Sequence, residues 1–306
     1  MVIPTLLGLT LLTFLLANVS PGDPAEEYAR RTQDRPPTYA EIEQARVRLG
    51  LDRPAPVRYV RWVNSLVHGD LGTSFTSRRP VRSDLARGIP NTLALALPAA
   101  ALAIVVALAL GTLCALYRNR VADQVVRLAS LAGASFPSFW LALLLIIVFA
   151  VHLSLVPVAG RRGLDTFLLP VLTLSAGPAA VLARFTRAAV LETMGEDYIR
   201  TAQSKGLPRR LVVFRHALRN ALVPVVTAFG VTVAHLLAGA VIVESIFGWP
   251  GVARVGLDAI RQRDYPMIQG FVLYAGLAVI LVNLAVDLAY AAFDPRIRLG
   301  DARARS

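Results

Sequence analysis

Few residues of this chain have the types and spacing that chemistry requires. Lys205 is the only lysine, and the Gly-Leu-Pro after it is not the glycine-rich loop of a phosphate site, so the sequence predicts no ATP hydrolysis by this chain. Cys114 is the only cysteine, which excludes an internal disulfide and a multi-cysteine metal site. His68 has no second histidine or cysteine at ligand spacing, so we expect a hydrogen-bonding loop residue. We therefore expect no catalytic residue, no metal ligand and no bound cofactor.

The ionisable residues near the apolar runs do not form a relay. Glu244 and Asp287 lie at the ends of such runs, where hydration costs little. His235 lies near the middle of one, and we interpret it as a neutral imidazole that bonds across helices or lines a pathway. A stand-alone secondary transporter should show an internal repeat or mid-span ionisable residues, and a membrane enzyme should show a nucleophile with its base or a metal cluster. Neither pattern is clear here.

Composition places the chain in a membrane. Of its 306 residues, 55% are hydrophobic and 17% are charged, and the mean hydropathy is +0.56, which is far more apolar than a soluble domain. The net charge of +12 could suggest nucleic acid. The arginines instead alternate with apolar runs, so lipid headgroups are the favoured counter-charge and we expect no nucleic-acid partner.

Six runs without charge are long enough, or nearly so, to span a bilayer. They are Met1 to Val19, Ile89 to Tyr117, Leu128 to Gly160, Thr166 to Ala183, Ala221 to Val243 and Tyr265 to Val286. The sequence thus predicts an all-α polytopic membrane protein with six transmembrane helices. Prolines inside the runs predict bends whose freed carbonyls are satisfied by neighbouring helices; these are Pro98, Pro137, Pro178 and Pro224.

Basic residues in the short loops predict the orientation. Eight of them fall between Arg184 and Arg219, and more follow the last run, which places these segments and both termini in the cytoplasm. The long segment after the first run contains twelve basic and nine acidic residues, but long segments translocate largely regardless of charge. We expect a first transmembrane helix over 1–19, an extracytoplasmic loop region with short helices over 20–88, a five-helix core over 89–293 and a cytoplasmic tail over 294–306.

The segment 195–224 is the most polar stretch inside the core. Glu196 and Asp197 favour a helix start, and Lys205, Gly206 and Pro208 favour its end, so we expect a helix of about ten residues, roughly 15 Å long. That length cannot span a bilayer. On physical grounds it is either an interfacial helix held by anionic lipid or a docking element for another protein.

The amino-acid sequence of this segment resembles that of one protein family. Residues 200–206, Arg-Thr-Ala-Gln-Ser-Lys-Gly, resemble the "EAA" loop of ATP-binding-cassette (ABC) importer permeases, although Arg200 and Thr201 replace the first two family letters. Residues 197–224 follow the dipeptide/oligopeptide branch closely. The resemblance implies that the short helix is a coupling helix that docks into the ATPase subunit. The residues it assigns to coupling are Glu196, Asp197, Tyr198, Arg200, Thr201, Ala202, Lys205 and Gly206.

A second stretch, over 244–270, resembles the signature before the last helix of the same family. The resemblance implies an outer loop beside the pathway that contacts the substrate-binding protein, with Glu244, Phe247, Trp249, Pro250, Gly251, Asp264, Tyr265 and Pro266 as its residues. The alternative is a re-entrant turn in which Trp249 and Tyr265 are interfacial belt residues. Pathway candidates are Ser135, Gly177, Thr227 and His235. Residues 67–75 and 294–298 also match the family's wording.

The family resemblance implies a subunit that forms half of an import pathway for di- or oligopeptides, without enzymatic activity of its own. Its expected partners are a homologous second permease, two ABC ATPase subunits or domains that hold ATP and Mg, an extracytoplasmic binding protein and membrane lipid. Nickel or glutathione is the alternative cargo, and the permease pair can be a homodimer or a heterodimer. We expect a bacterial or archaeal cytoplasmic membrane, and a natural start upstream of Met1.

Overall fold

The computed structural model describes residues 2–19, 22–32, 35–160 and 163–293, which form helices, connecting loops and one isolated bridge between Thr73 and Pro80. The predicted all-α fold is confirmed. The helices are α1 Val2–Val19, α2 Pro24–Thr32, α3 Tyr39–Arg48, α4 Ala55–Val67, α5 Val81–Leu116, α6 Val121–Ser135, α7 Ser138–Leu145, α8 Leu168–Thr193, α9 Asp197–Ser204, α10 Arg209–Leu211, α11 Leu218–Ile246, α12 Val252–Arg261 and α13 Tyr265–Phe293. π-Helical turns over Ile146–His152 and Val212–Ala217 and a 3₁₀ turn over Leu164–Phe167 extend α7, α10 and α8.

Within the described residues, four helices are long and apolar enough to cross a bilayer: Val81–Leu116, Leu164–Thr193, Arg209–Ile246 and Tyr265–Val286. Two bent pairs of helices raise the number to six if each pair is one span. One pair begins with α1, and the other consists of α6 and α7 with its π-helical extension. The predicted six-span fold agrees with this upper number.

The run from Leu128 to Gly160 contains the bend that Pro137 predicted. The chain there forms two helices that meet at an angle of 105° rather than one continuous helix. Phe136 ends α6 in an extended conformation, with φ −73° and ψ 128°, because the proline after it disfavours helical geometry. Pro137 has no N–H to donate and is the N-cap of α7. Pro178 and Pro224, by contrast, lie within α8 and α11.

The helix α5 begins at Val81, inside the region 20–88 that was expected to hold loops and short helices. Arg82, Asp84 and Arg87 occupy its first two turns, and their charge hides the helix from a search for apolar runs. Asp84 lies in the first turn, where a carboxylate favours helix formation, and pairs with Arg79 at 3.1 Å.

The first compact unit consists of the described residues of Met1–Thr92 and Pro250–Ile280. Its core contains Val81, Leu85, Val252, Ala259 and Met267. Glycines allow close packing here: a Cβ on Gly256 would lie 2.3 Å from the ring of Phe271, and one on Gly88 would lie 2.8 Å from the Val252 backbone. No side chain fits at either position, so these helices approach as closely as their backbones allow.

Within this unit, α2 to α4 follow the predicted pattern of short helices. Glu41 accepts a hydrogen bond from the Thr38 N–H at 2.7 Å, which completes a capping box at the start of α3. Gly50, with φ +66°, follows the C-cap. Tyr59 of α4 lies on α1, where its hydroxyl is 2.9 Å from that of Thr10 and its ring packs edge-on against Phe14.

The second unit consists of the described residues of Leu93–Trp249 and Leu281–Ser306. The extensive packing of α8 against α11 forms its centre, and a buried cluster that includes Leu95, Leu169, Leu236 and Trp249 fills one part of it. Gly230 of α11 allows close approach, since a Cβ there would lie 2.2 Å from the side chain of Val286. Residues 161–162, the 294–298 motif and the tail over 294–306 lie outside the described residues, as does the side chain of Asp287.

Candidate functional site

The short polar helix α9 has clear start and stop signals. Glu196 is its N-cap residue, and Asp197 occupies the first turn, where its charge complements the helix dipole. Lys205 is the C-cap, and Gly206 follows with φ +79°, a conformation that glycine adopts without strain. Pro208 then caps α10. The predicted helix is confirmed, with eight residues and a length of about 12 Å.

One face of α9 is buried in the second unit. Ile199 is fully buried and Ala202 is 9% exposed. They pack in a cluster with the ends of the long helices, formed by Ala115 of α5, Ala189 and Val190 of α8, and Val212, Val213, Ala217, Ala221 and Val225 of the α10–α11 segment. The burial of these apolar side chains holds α9 against the ends of α5, α8 and the α10–α11 segment, all of which are long enough to span a membrane.

The opposite face of α9 is exposed. Of the eight residues predicted for coupling, Ala202 faces inward, whereas the other seven are exposed: Glu196, Asp197, Tyr198, Arg200, Thr201, Lys205 and Gly206. Arg200 and Asp197 form an ion pair of 3.3 Å on this surface, which contributes little to stability because both side chains are hydrated. The exposed face therefore carries charged and hydrogen-bonding groups that its own chain leaves accessible to a partner.

Short connections tie α9 to its neighbours. Three residues separate it from α8, and four separate it from α10. The Asn220 amide of α11 donates a hydrogen bond to the Tyr198 hydroxyl, and Arg210 donates to the hydroxyl of Tyr117, after α5, at 3.3 Å. Because these connections are only three and four residues long, a displacement of α9 is expected to move the ends of α8 and of the α10–α11 segment.

An ion pair that the sequence analysis missed lies close to this segment. Arg187 of α8 donates two hydrogen bonds to Asp123 of α6, at 2.7 and 2.8 Å, in the bidentate geometry that makes such pairs strong. Asp123 is fully buried and also accepts from the Asn119 N–H at 3.0 Å. Asp123 is the only carboxylate between Asp84 and Asp165 in the sequence. This isolation was the one feature of the sequence that indicated a paired carboxylate.

The segment 244–270, which was predicted to be an outer loop, is called the outer stretch below. Its residues 244–249 belong to the second unit and are buried or partly buried. The Trp249 N–H bonds to the Glu244 carbonyl at 2.8 Å around Gly248, whose φ is +61°, in the pattern of a Schellman helix end. This turn inserts Trp249 into the core, fully buried and edge-on to Phe167 at 4.6 Å. Glu244 is also fully buried, and Phe247 is 2% exposed. The belt interpretation of Trp249 is therefore wrong.

In the first unit, the residues 250–266 surround α12. Asn91 donates to the Pro250 carbonyl at 2.8 Å, and Thr92 accepts from the Val252 N–H at 2.9 Å. Gly251 and Tyr265 are buried, so the belt interpretation also fails for Tyr265, whereas Pro250 is exposed and Pro266 is partly buried.

Asp264 is the organising residue of this part of the first unit. It is 1% exposed, and its carboxylate accepts hydrogen bonds from the Ser74 hydroxyl and from the backbone N–H groups of Phe75, Thr76 and Met267, at 2.5 to 3.3 Å. A carboxylate with several donors is stable when buried. The outer stretch thus rests on buried anchors, while its exposed side chains include Ile260, Arg261, Gln262 and Arg263.

The four pathway candidates occupy different positions in the second unit. Thr227 and His235 are both exposed and lie eight residues apart on α11, with exposed Val231 between them, so they share one face of the helix. Ser135 is exposed at the end of α6, and its hydroxyl donates to the Leu131 carbonyl at 2.8 Å. Gly177 is partly buried on α8. No group of three or more His, Cys, Asp or Glu among the described residues could hold a metal ion.

Comparison with known proteins shows the family of this chain. The family described as "Binding-protein-dependent transport system inner membrane component" matches residues 107–299, and its N-terminal companion matches residues 1–96. The glutathione transport system permease protein GsiC of Pectobacterium atrosepticum is 44% identical over 97% of this chain and 95% of its own length. The protein of the same name from Escherichia coli K12 is 42% identical over the same shares.

Solved structures share the fold. A chain from inward-facing structures of the MetNI methionine ABC transporter matches with a TM-score of 0.57 at 21% identity, covering 69% of this chain and 96% of that one. A second crystal form of the same transporter gives a TM-score of 0.58 at 22% identity and the same coverage.

Proposed function

The chain belongs to the family of inner membrane components of binding-protein-dependent transport systems, and from this premise we propose that it forms half of the pathway through which an ABC importer moves glutathione or similar short peptides. It is a multi-pass permease subunit of a bacterial ABC importer. Its role is to form the pathway and to respond to an ATPase, and we assign ATP and Mg to that partner rather than to this chain.

The observation that carries this proposal is the arrangement of α9. Its inner face packs against the ends of three long helices, and Asp197, Arg200 and Thr201 are exposed on its outer face. Such a helix suits an ATPase cleft, because force on the outer face reaches the spans through short connections. We therefore assign α9 the role of coupling helix, with Ile199 and Ala202 as the residues that seat it.

The proposed surroundings follow from the family and from the charge pattern. We infer a second, homologous permease, two ATPase subunits or domains, and an extracytoplasmic binding protein. We place α9 and both termini in the cytoplasm, which the clustering of arginines in the short loops supports. The exposed face of α11 that carries Thr227 and His235 faces the pathway in this proposal, and the buried anchors Trp249 and Asp264 position the outer stretch toward the binding protein.

Glutathione is the cargo we favour within the peptide class. Relatives that are 42 to 44% identical over nearly the whole chain are named as glutathione permeases. Glutathione is itself a tripeptide, so this choice narrows the di- and oligopeptide expectation rather than replacing it. The cargo enters from the binding protein, which selects it first.

Uptake into proteoliposomes tests the proposal. The permease pair, its ATPases and its binding protein are reconstituted, and radiolabelled glutathione, a dipeptide and ⁶³Ni are offered separately. We expect glutathione uptake that requires both ATP and the binding protein. Uptake of nickel alone would refute the peptide-class cargo but not the permease role, whereas cargo uptake that needs neither ATP nor the binding protein would refute the importer itself.

A further inference from the structure

A cavity of about 460 Å³ lies within the first unit, between α1, α4, α5 and α13. Its walls are almost entirely aliphatic, and Leu9, Leu66, Leu85 and Leu273 represent the four helices that build it. Arg82 is the one charged residue among its lining residues. The cavity therefore combines a hydrocarbon interior with a single cationic group.

Close packing fixes the shape of this cavity. A Cβ on Gly270 of α13 would lie 2.5 Å from the side chain of Val81, and one on Gly276 would lie 2.4 Å from that of Leu9. Contacts this close leave no room for even a methyl group. α13 is thus seated directly against α5 and α1 on either side of the cavity, which is a built feature of the unit rather than a gap between loosely placed helices.

Arg82 is available to a ligand. Its side chain is exposed, and among the described residues it has no ion-pair partner. The carboxylate nearest in sequence, Asp84, is already bound by Arg79 at 3.1 Å and by the Ser77 hydroxyl at 2.6 Å. The guanidinium of Arg82 is therefore free to bind an anion from outside the chain.

The cavity is continuous with surface that contacts hydrocarbon. Leu277 lines it and is 45% exposed, and Leu7 and Leu11 on the neighbouring surface of α1 are 57% and 47% exposed. In a membrane-embedded subunit such leucines face acyl chains, so lipid reaches the cavity without crossing water.

We propose that this cavity binds one anionic glycerophospholipid, with an acyl chain inside the cavity walled by α1, α4, α5 and α13 and the phosphate on Arg82. Arginine suits this role because its guanidinium binds phosphate oxygens through two parallel hydrogen bonds. The start of α5 is where such a charge belongs, because Val81–Leu116 is long and apolar enough to cross the bilayer and its first turns reach the headgroup level.

Lipid retention by the purified transporter complex tests this proposal independently of uptake. The complex is stripped in detergent and offered phosphatidylglycerol or phosphatidylcholine, and bound lipid is counted by native mass spectrometry. We expect Arg82→Gln to lower phosphatidylglycerol retention by about fivefold with little change for phosphatidylcholine, which is the effect of one lost phosphate contact. Ala86→Phe, which fills the cavity from its α5 wall, should lower retention of both lipids.

The matched control is Arg87→Gln, which removes an exposed arginine of the same helix that does not line the cavity. It should retain both lipids as the unmodified complex does. Equal retention by all three variants, with the complex assembled and its melting temperature unchanged, would overturn the proposal and indicate that a protein segment fills the cavity. Equal losses from Arg82→Gln and Arg87→Gln would overturn it as well, since only general surface charge would then matter.

Discussion

Ala202→Asp is expected to abolish ATP-driven uptake, with a loss of at least about tenfold, because it places an unpaired carboxylate among buried aliphatic side chains. Ala202 is 9% exposed and packs with Ile199, Val212 and Val213. Burying an unpaired charge costs several kcal/mol, on the order of what the local packing of an eight-residue helix can supply. We therefore expect α9 to separate from the cluster formed by the ends of α5, α8 and α11, while the long helices remain folded.

The control for this change is Ala202→Ser, which keeps the volume nearly constant and can bond its hydroxyl to a carbonyl one turn earlier. We expect it to retain most uptake. Both variants should insert in the membrane in equal amounts, measured by immunoblot of membrane fractions, and uptake and ATPase rate are then measured on the reconstituted complex. Normal uptake by Ala202→Asp would show that the seating of α9 is unimportant.

Asp123→Leu is expected to lower the free energy of unfolding by about 3–5 kcal/mol, because it leaves the Arg187 guanidinium without its buried partner. The Asn119 N–H also loses its acceptor. The pair joins the first turn of α6 to α8, which leads directly into α9. We therefore also expect uptake to fall by an order of magnitude or more, since α6 no longer moves with α8.

Removing both charges separates these effects. Asp123→Leu combined with Arg187→Met replaces the ion pair by apolar groups, which is often neutral for stability, so the double variant should recover to within about 1 kcal/mol. Thermal unfolding of the purified complex measures this recovery. Arg200→Gln, which removes only an exposed pair, should melt as the unmodified complex does. If Asp123→Leu alone were as stable as the unmodified chain, the Asp123–Arg187 pair would not have the assigned role.

Local signals made α9 predictable from sequence. Its acidic start, its C-cap lysine and the Gly206 stop act within one turn, so each residue could be interpreted without knowledge of the fold. Signals of the same local kind stand at both ends of α3, in the capping box at Thr38 and in the glycine after its C-cap, Gly50. What the sequence could not supply was the direction of Ala202, which depends on where α5, α8 and α11 end.

Hydropathy alone did not locate every helix end. In the apolar run from Leu128 to Gly160, Pro137 predicted a bend, but the composition of the run does not show that the bend separates two helices at 105°. The first turns of α5 are charged, so a search for apolar runs begins the helix at Ile89 instead of Val81. Both differences arise because hydrophobicity reports the environment of a segment rather than its backbone geometry.

Long-range partners were beyond the sequence analysis. Asp123 and Arg187 are 64 residues apart, and Asp264 bonds to residues about 190 positions away. Charged residues in or near apolar runs indicate that partners exist, yet spacing does not identify them. Trp249 and Tyr265 illustrate the same limit, because an aromatic residue beside an apolar run can be an interfacial residue or a core residue, and here both are buried.

Photo-crosslinking from α9 tests the central claim, that its exposed face docks on an ATPase, most directly. Benzoylphenylalanine replaces Arg200 or Ser204 on this face, or Asn64 on the exposed side of α4 as the control, in the assembled transporter. We expect adducts with the ATPase subunit from positions 200 and 204 and none from position 64. Lipid adducts without any ATPase adduct from positions 200 and 204 would show that α9 is an interfacial anchor and not a coupling helix.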